Sequence, residues 1–187
     1  MASFTDQLNK AVAFAQGRVD EVMRTAVVLI AQQLVQRSPV GNPDGWKANA
    51  LPSARRETYN TTVAAYNAQT GAKVRRKSVK GLMKAFPNRS GKGYTGGRFR
   101  ANWQIGIGAL NRTTTDATDK TGGPTLTRLS KAAQAASAGQ VVWVSNSLPY
   151  AQRLEAGWSK QAPAGMVGLT MIDLPGLMKQ YLRSLPK

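Results

Sequence analysis

The sequence predicts an α+β fold in which a long N-terminal helix and a C-terminal helix pack on a small, mainly antiparallel sheet, with a long basic insertion between them. Three observations carry this expectation. Apolar residues recur at spacings near three and four from Ser3 to Arg37, and they alternate with polar or small ones from Phe99 to Ala109. Between these stretches, residues 41–97 are crowded with Gly, Pro and basic side chains.

The first element follows from Phe4, Leu8, Ala11, Ala15, Val19, Val22, Ala26, Leu29 or Ile30, and Val35, which trace one stripe on a helix. Ser3 with Asp6 three residues later has the form of a capping box with an acid in the first turn, and Ser38-Pro39 is a natural stop. Such a helix packs on its own domain, and its length also suits contacts between subunits.

Residues 41–97 carry no run of core-sized side chains. Ser53 to Gln69 and Ser78 to Phe86 each read as a helix, the second placing Lys80 and Lys84 on one face beside Leu82, Met83 and Phe86. The whole is expected to be an insertion or arm within a single domain of 187 residues. Lacking a core, it should be wholly or partly disordered until a partner covers it.

Phe99, Ala101, Trp103, Ile105, Ile107 and Ala109 alternate with Arg100, Asn102, Gln104, Gly106 and Gly108. This period of two predicts a strand that buries Phe99 and Trp103 and turns Arg100 and Asn102 to the other face. A Thr, Asp and Gly loop follows from Asn111 to Pro124, then a helix over Leu126–Ala138 with Gly139 as a left-handed cap, then a second strand over Gln140–Ser145. Pro149 at a first helical position starts a short helix through Glu155, with Tyr150 and Leu154 facing the core and Gly157 closing it. The last helix shows the stripe Leu174, Leu177, Met178, Tyr181 and Leu185, and Pro175 either kinks it or starts a second helix capped by Asp173.

The charge is uneven. Twenty-six Lys and Arg against nine Asp and Glu give +17, of which residues 45–100 hold +12. Lys73, Arg75, Arg76, Lys77 and Lys80, followed by Lys84, Arg89 and Lys92, form the densest run. A local excess of this size points to a polyanionic partner, usually nucleic acid and otherwise an acidic protein, contacted without reading base edges, because no base-reading motif accompanies it; the alternative is a solvated charged loop that serves solubility alone.

The same composition narrows the chemistry. With no Cys and no His, the chain has no thiol nucleophile and lacks the commonest general base and metal ligand, so neither a metal nor a cofactor is expected. Glu57, Glu155 and Asp173 are the acids to consider for hydrolysis, but none stands in a motif with another. Ser90 to Gly97 is Gly-rich, yet Phe86 and Gly93 occupy the places where a phosphate-binding loop needs Gly and Ser or Thr. No enzyme is expected. The N-terminus has no secretion signal and no run of about 18 apolar residues occurs, so the protein is expected to be made in the cytoplasm without a membrane partner.

Two segments, Arg37-Ser38-Pro39-Val40 followed eventually by TGGRFRANWQIGIG, and VVWVSNSLPYAQRLEAGWSKQAPAGMV, resemble the tail-completion or minor tail proteins of the neck in tailed bacteriophages. Arg98, Phe99 and Trp103 match the first pattern, and Asn146, Tyr150, Arg153, Glu155 and the residue after Gly157, Trp158, lie within the second. The resemblance covers roughly residues 1–40 and 95–185. It implies a structural virion subunit without catalytic residues, forming a closed homo-oligomeric ring that completes the tail and joins it to the head connector around the DNA channel; whether the ring holds six or twelve copies does not follow from the motifs. Its partners would be copies of itself, neighbouring neck, connector and tail-tube proteins, and DNA held nonspecifically in the lumen. The usual short junction between the two parts of the first pattern is stretched here to more than fifty residues. The alternative from charge alone is a basic nucleic-acid-binding accessory protein with no virion role.

Overall fold

A computed structural model describes residues 4–185. The chain folds into two compact units: one runs up to Val40 and resumes at Gly97, and the other spans Gly41–Gly96.

The first unit is α+β, built on helix α1 (Phe4–Arg37), which at 1.5 Å per residue is about 51 Å long. Its last three turns bury Val27, Ala31, Leu34 and Val35 and pack against α5 (Gly123–Ala133) and α7 (Val167–Ser184). The buried face is thus turned from the predicted stripe: among the described side chains of that stripe Val35 is fully buried, whereas Val22, Ala26, Leu29 and Ile30 lie half-buried. Two helices flank α1, so the apolar band is wider than one stripe and periodicity alone could not centre it. Toward the N-terminus, Leu8, Val12, Phe14 and Val19 are exposed. The proposed Ser3 cap lies outside the described residues.

The sheet has two antiparallel strands, β1 (Gln104–Ile107) and β2 (Val142–Ser145), with Ile105 opposite Val144 and Gly106 opposite Trp143. The expected long strand is therefore shortened at its start. Arg98–Ala101 forms a single helical turn, α4, and pairing begins only at Gln104. Phe99 and Trp103 are nevertheless both buried, because a four-residue step returns to the same side of a helical turn just as it does in a strand. The expectation for Asn102 fails for the same reason: it is fully buried instead of facing away.

Other boundaries shift modestly. α5 stops at Ala133, and Gly139 lies in the turn before β2 instead of capping the helix. The short helix α6 (Ala151–Glu155) starts two residues after Pro149. Leu154 packs on the core, while Tyr150 stands at its rim, 37% exposed, with its ring 6.0 Å from that of Phe99. Helix α7 runs unbroken through Pro175, and Leu174, Leu177, Met178, Tyr181 and Leu185 are half-buried as a stripe.

The second unit contains α2 (Ala50–Thr70) and α3 (Val79–Ala85), close to the predicted helices, with Ser78 capping α3 through the Gly81 N–H. It is more than an arm. Its buried side chains are few, Pro52, Val63 and Leu82 with the polar Asn49 and Arg56, and hydrogen bonds supply much of what apolar bulk does not.

Candidate functional site

In the first unit, the motif residues are used as braces. Trp103 Nε1 donates to Ser38 Oγ (2.7 Å), and Arg100 donates to the Ser38 carbonyl (2.9 Å). Gln161 takes the backbone of Val40 at both ends, accepting from its N–H (2.9 Å) and donating to its C=O (3.0 Å). On the other side of the insertion, the Gly97 carbonyl accepts from the Asp119 N–H (3.2 Å). Both points where the chain leaves and re-enters this unit are therefore held within it, so a long segment can be inserted there without loosening the core.

Asn102 donates to the carbonyls of Arg98 (2.7 Å) and Thr115 (2.9 Å) and accepts from the Thr115 N–H (2.7 Å), tying the 111–122 loop to α4. Arg98 pairs with Asp116 at 2.8 Å, and Asn146 donates to the Phe99 carbonyl (2.8 Å). Asp119 organises the start of α5: its carboxylate accepts from Thr121, Gly122 and both the N–H and the hydroxyl of Thr125. Burial pushes this carboxyl up, but the donors from Thr125, Gly122 and Thr121 outweigh it and hold the pKa at about 2.

Glu155 performs a similar task for α7. Its carboxylate accepts from the N–H groups of Met166 (2.8 Å), Val167 (3.0 Å) and Gly168 (3.1 Å), the donors left unpaired at a helix N-terminus. Burial raises its pKa, yet those backbone donors prevail and the net direction is downward. The surrounding glycines are required: Gly157 and Gly165 have φ of +81° and +75°, and a Cβ at either would collide with the carbonyl oxygen of Pro163 or Glu155. Of the other candidate acids, Asp173 pairs with Arg37, and Glu57 stands exposed on α2 of the second unit. A small cleft of about 210 Å³ lies over Phe99, Trp103 and Met166, with Glu155 as its carboxylate. Among the described residues, no three His, Cys, Asp or Glu come together as a metal site, and no helix is long and apolar enough to cross a membrane.

Trp158 is 77% exposed and carries the Arg153 guanidinium over its ring at 5.8 Å. An apolar ring presented to solvent with a cation stacked on it is a typical anchor for a protein contact.

The second unit is closed by two polar hubs. Asn49, fully buried, donates to the carbonyls of Pro43 and Ser90 and accepts from the N–H groups of Arg89 and Ser90. Arg56, also buried, donates to Asp44 (2.8 Å), Asn88 (2.8 Å) and the Phe86 carbonyl. Rings of Trp46 and Tyr94 meet edge to face at 5.1 Å.

This leaves the outside to cations. The unit holds eleven Lys and Arg against Asp44 and Glu57. With Arg56 spent on Asp44, ten remain, all exposed, and among the described residues none of the ten forms an ion pair. They include every one of Lys73, Arg75, Arg76, Lys77, Lys80, Lys84, Arg89 and Lys92, with the Lys77 ammonium 5.4 Å over the Tyr59 ring. In α3 Leu82 is buried, while Lys80, Met83 and Lys84 are exposed.

Nothing matches. Neither a known family model, nor a curated protein, nor a solved structure is similar to this chain. Among the residues that sequence reasoning missed are Asn49, Asn60 and Asn67, whose only local signal is an Asn near a turn or on a helix.

Proposed function

We propose that this chain is a structural subunit of a tailed-phage neck, assembling into a closed ring that completes the tail and joins it to the head connector around DNA. The observation that carries the reading is the division of labour in one chain. One unit spends its motif residues on bracing and leaves Phe14, Trp158 and Ile172 at least 70% exposed, surface that suits contacts with other copies. The other presents ten exposed cations that form no ion pair among the described residues, suited to DNA or to an acidic neighbouring ring. Motif similarity to tail-completion proteins supports the same reading, as do the hydrogen bonds that join the two separated parts of the first motif through Ser38, Arg100 and Trp103.

The test is assembly. Full-length protein examined by analytical ultracentrifugation and negative-stain electron microscopy should form closed rings, alone or on purified tails, and electron microscopy of virions should place the chain between portal and tail. A chain that stays monomeric in concentrated solution and in particles sinks the proposal. The ten exposed cations favour a second reading, a nucleic-acid-binding accessory protein outside the virion, and a monomer that binds DNA tightly would support it.

A further inference from the structure

The densest basic run is not a loose tail. After α2 ends at Gly71, the chain turns back along the helix, and two asparagines of α2 grip it. Asn67 donates to the Val74 carbonyl (2.8 Å) and accepts from the Val74 N–H (3.0 Å); Asn60 does the same for Lys77, at 2.8 Å in both directions. Seven residues of α-helix rise about 10.5 Å, and three residues of a polyproline-II chain rise about 9.3 Å. The two repeats nearly coincide. A chain with three residues per turn also returns residues 74 and 77 to the same side, which is the register the two asparagines need. Arg75 and Arg76 fall between the grips with their side chains exposed, and Lys73 stands just before them.

We infer that Asn60 and Asn67 are positioning residues that hold residues 73–77 extended in advance as a rigid cationic rail for the phosphate backbone of double-stranded DNA. This rests on the nucleic-acid part of the proposed function and names its contact. A free arm would lose conformational freedom on binding; a rail fixed by side-chain amides has lost it already, and affinity gains accordingly. DNA is favoured over an acidic protein because residues 73–77 place four exposed cations, Lys73, Arg75, Arg76 and Lys77, in five positions with Val74 as the one apolar side chain among them, a charge density that suits a repeating anion that must be free to slide.

The experiment uses full-length protein and a fluorescein-labelled 24-base-pair duplex of random sequence, with anisotropy titrations at several KCl concentrations and amide hydrogen exchange on the free protein. In the wild type, the Val74 and Lys77 amides should exchange more slowly than those of Arg75 and Arg76. Unprotected amides at 74 and 77 would overturn the rail whatever any variant does. The N60A/N67A variant, its folding checked by far-UV circular dichroism, should bind roughly tenfold more weakly with an unchanged salt slope, since every cation remains. K73Q/R75Q/R76Q should instead flatten the slope by about 0.9 for each phosphate that is no longer neutralised. Wild-type affinity in N60A/N67A, or an unchanged slope in the neutralised variant, overturns the inference while leaving DNA binding by the protein intact. A wild type that ignores the duplex but binds poly-glutamate overturns both the rail and the nucleic-acid reading.

Discussion

Trp103 Nε1 donates a 2.7 Å hydrogen bond to Ser38 Oγ, joining residues 65 positions apart that lie before and after the insertion in the chain. Ser38 is itself buried and donates onward to the Leu34 carbonyl at 2.7 Å, so the indole is tied through one hydroxyl to the last turn of α1.

Trp103→Ala should lower the stability of the α+β unit by about 3 to 5 kcal/mol, the range for emptying a large aromatic site. Ser38→Ala, which leaves the indole N–H without its partner, should cost about 1 to 3 kcal/mol. Urea denaturation followed by tryptophan fluorescence measures both; an unchanged midpoint for Trp103→Ala would remove the indole from the core.

Glu155→Gln replaces a carboxylate that serves three helix N–H groups with an amide carrying a single acceptor oxygen. The expected loss is about 1 to 2 kcal/mol, mostly from the charge at the helix N-terminus. Gly165→Ala should be worse, since the new methyl would occupy the space of the Glu155 carbonyl and the φ of +75° would be strained as well. Equal melting temperatures for Glu155→Gln and wild type would show the cap to be unimportant.

Acid should reveal Asp119. Its folded pKa of about 2 lies below its ordinary 3.8, so the stability it supplies is complete above about pH 4 and is lost as pH falls from there through 2. A shift of this size corresponds to about 2 kcal/mol. Asp119→Asn should remove that contribution at pH 7 and flatten the acid limb of a stability-against-pH curve. Glu155, lowered in the same direction, should add to the wild-type limb.

Arg56→Met strips Asp44, Asn88 and the Phe86 carbonyl of one shared donor. The second unit should lose about 1 to 3 kcal/mol, the cost of leaving partly buried acceptors without their shared donor. Hydrogen exchange should then rise along α2 and α3 while amides of the α1 core keep their protection. A uniform loss of protection over both units would show that they unfold together.

Phe99, Trp103, Val35 and the stripe of α7 were legible because burial of an apolar side chain depends on spacing, and spacing is written in the chain. The same holds for the long first helix, the α+β class and the concentration of charge in residues 41–97. Polar residues were not legible in this way. Asn102 alternates like a surface residue yet lies fully buried, Arg56 reads as one more cation in a basic stretch, and Glu155 reads as a surface acid.

By itself, then, the sequence determined where the longer helices lie, roughly where two strands lie, and that the middle of the chain is cationic. Tertiary structure alone decided that Arg98–Ala101 turns as a helix, that residues 41–96 close on Asn49 and Arg56, and that Asn60 and Asn67 bind the backbone of Lys77 and Val74. An apolar side chain gains from any apolar neighbour, so its pattern suffices. A buried amide or ion is stable only against particular donors and acceptors, and for Glu155, Arg56, Asn102 and Asn49 these include residues 11, 12, 13 and 41 positions away.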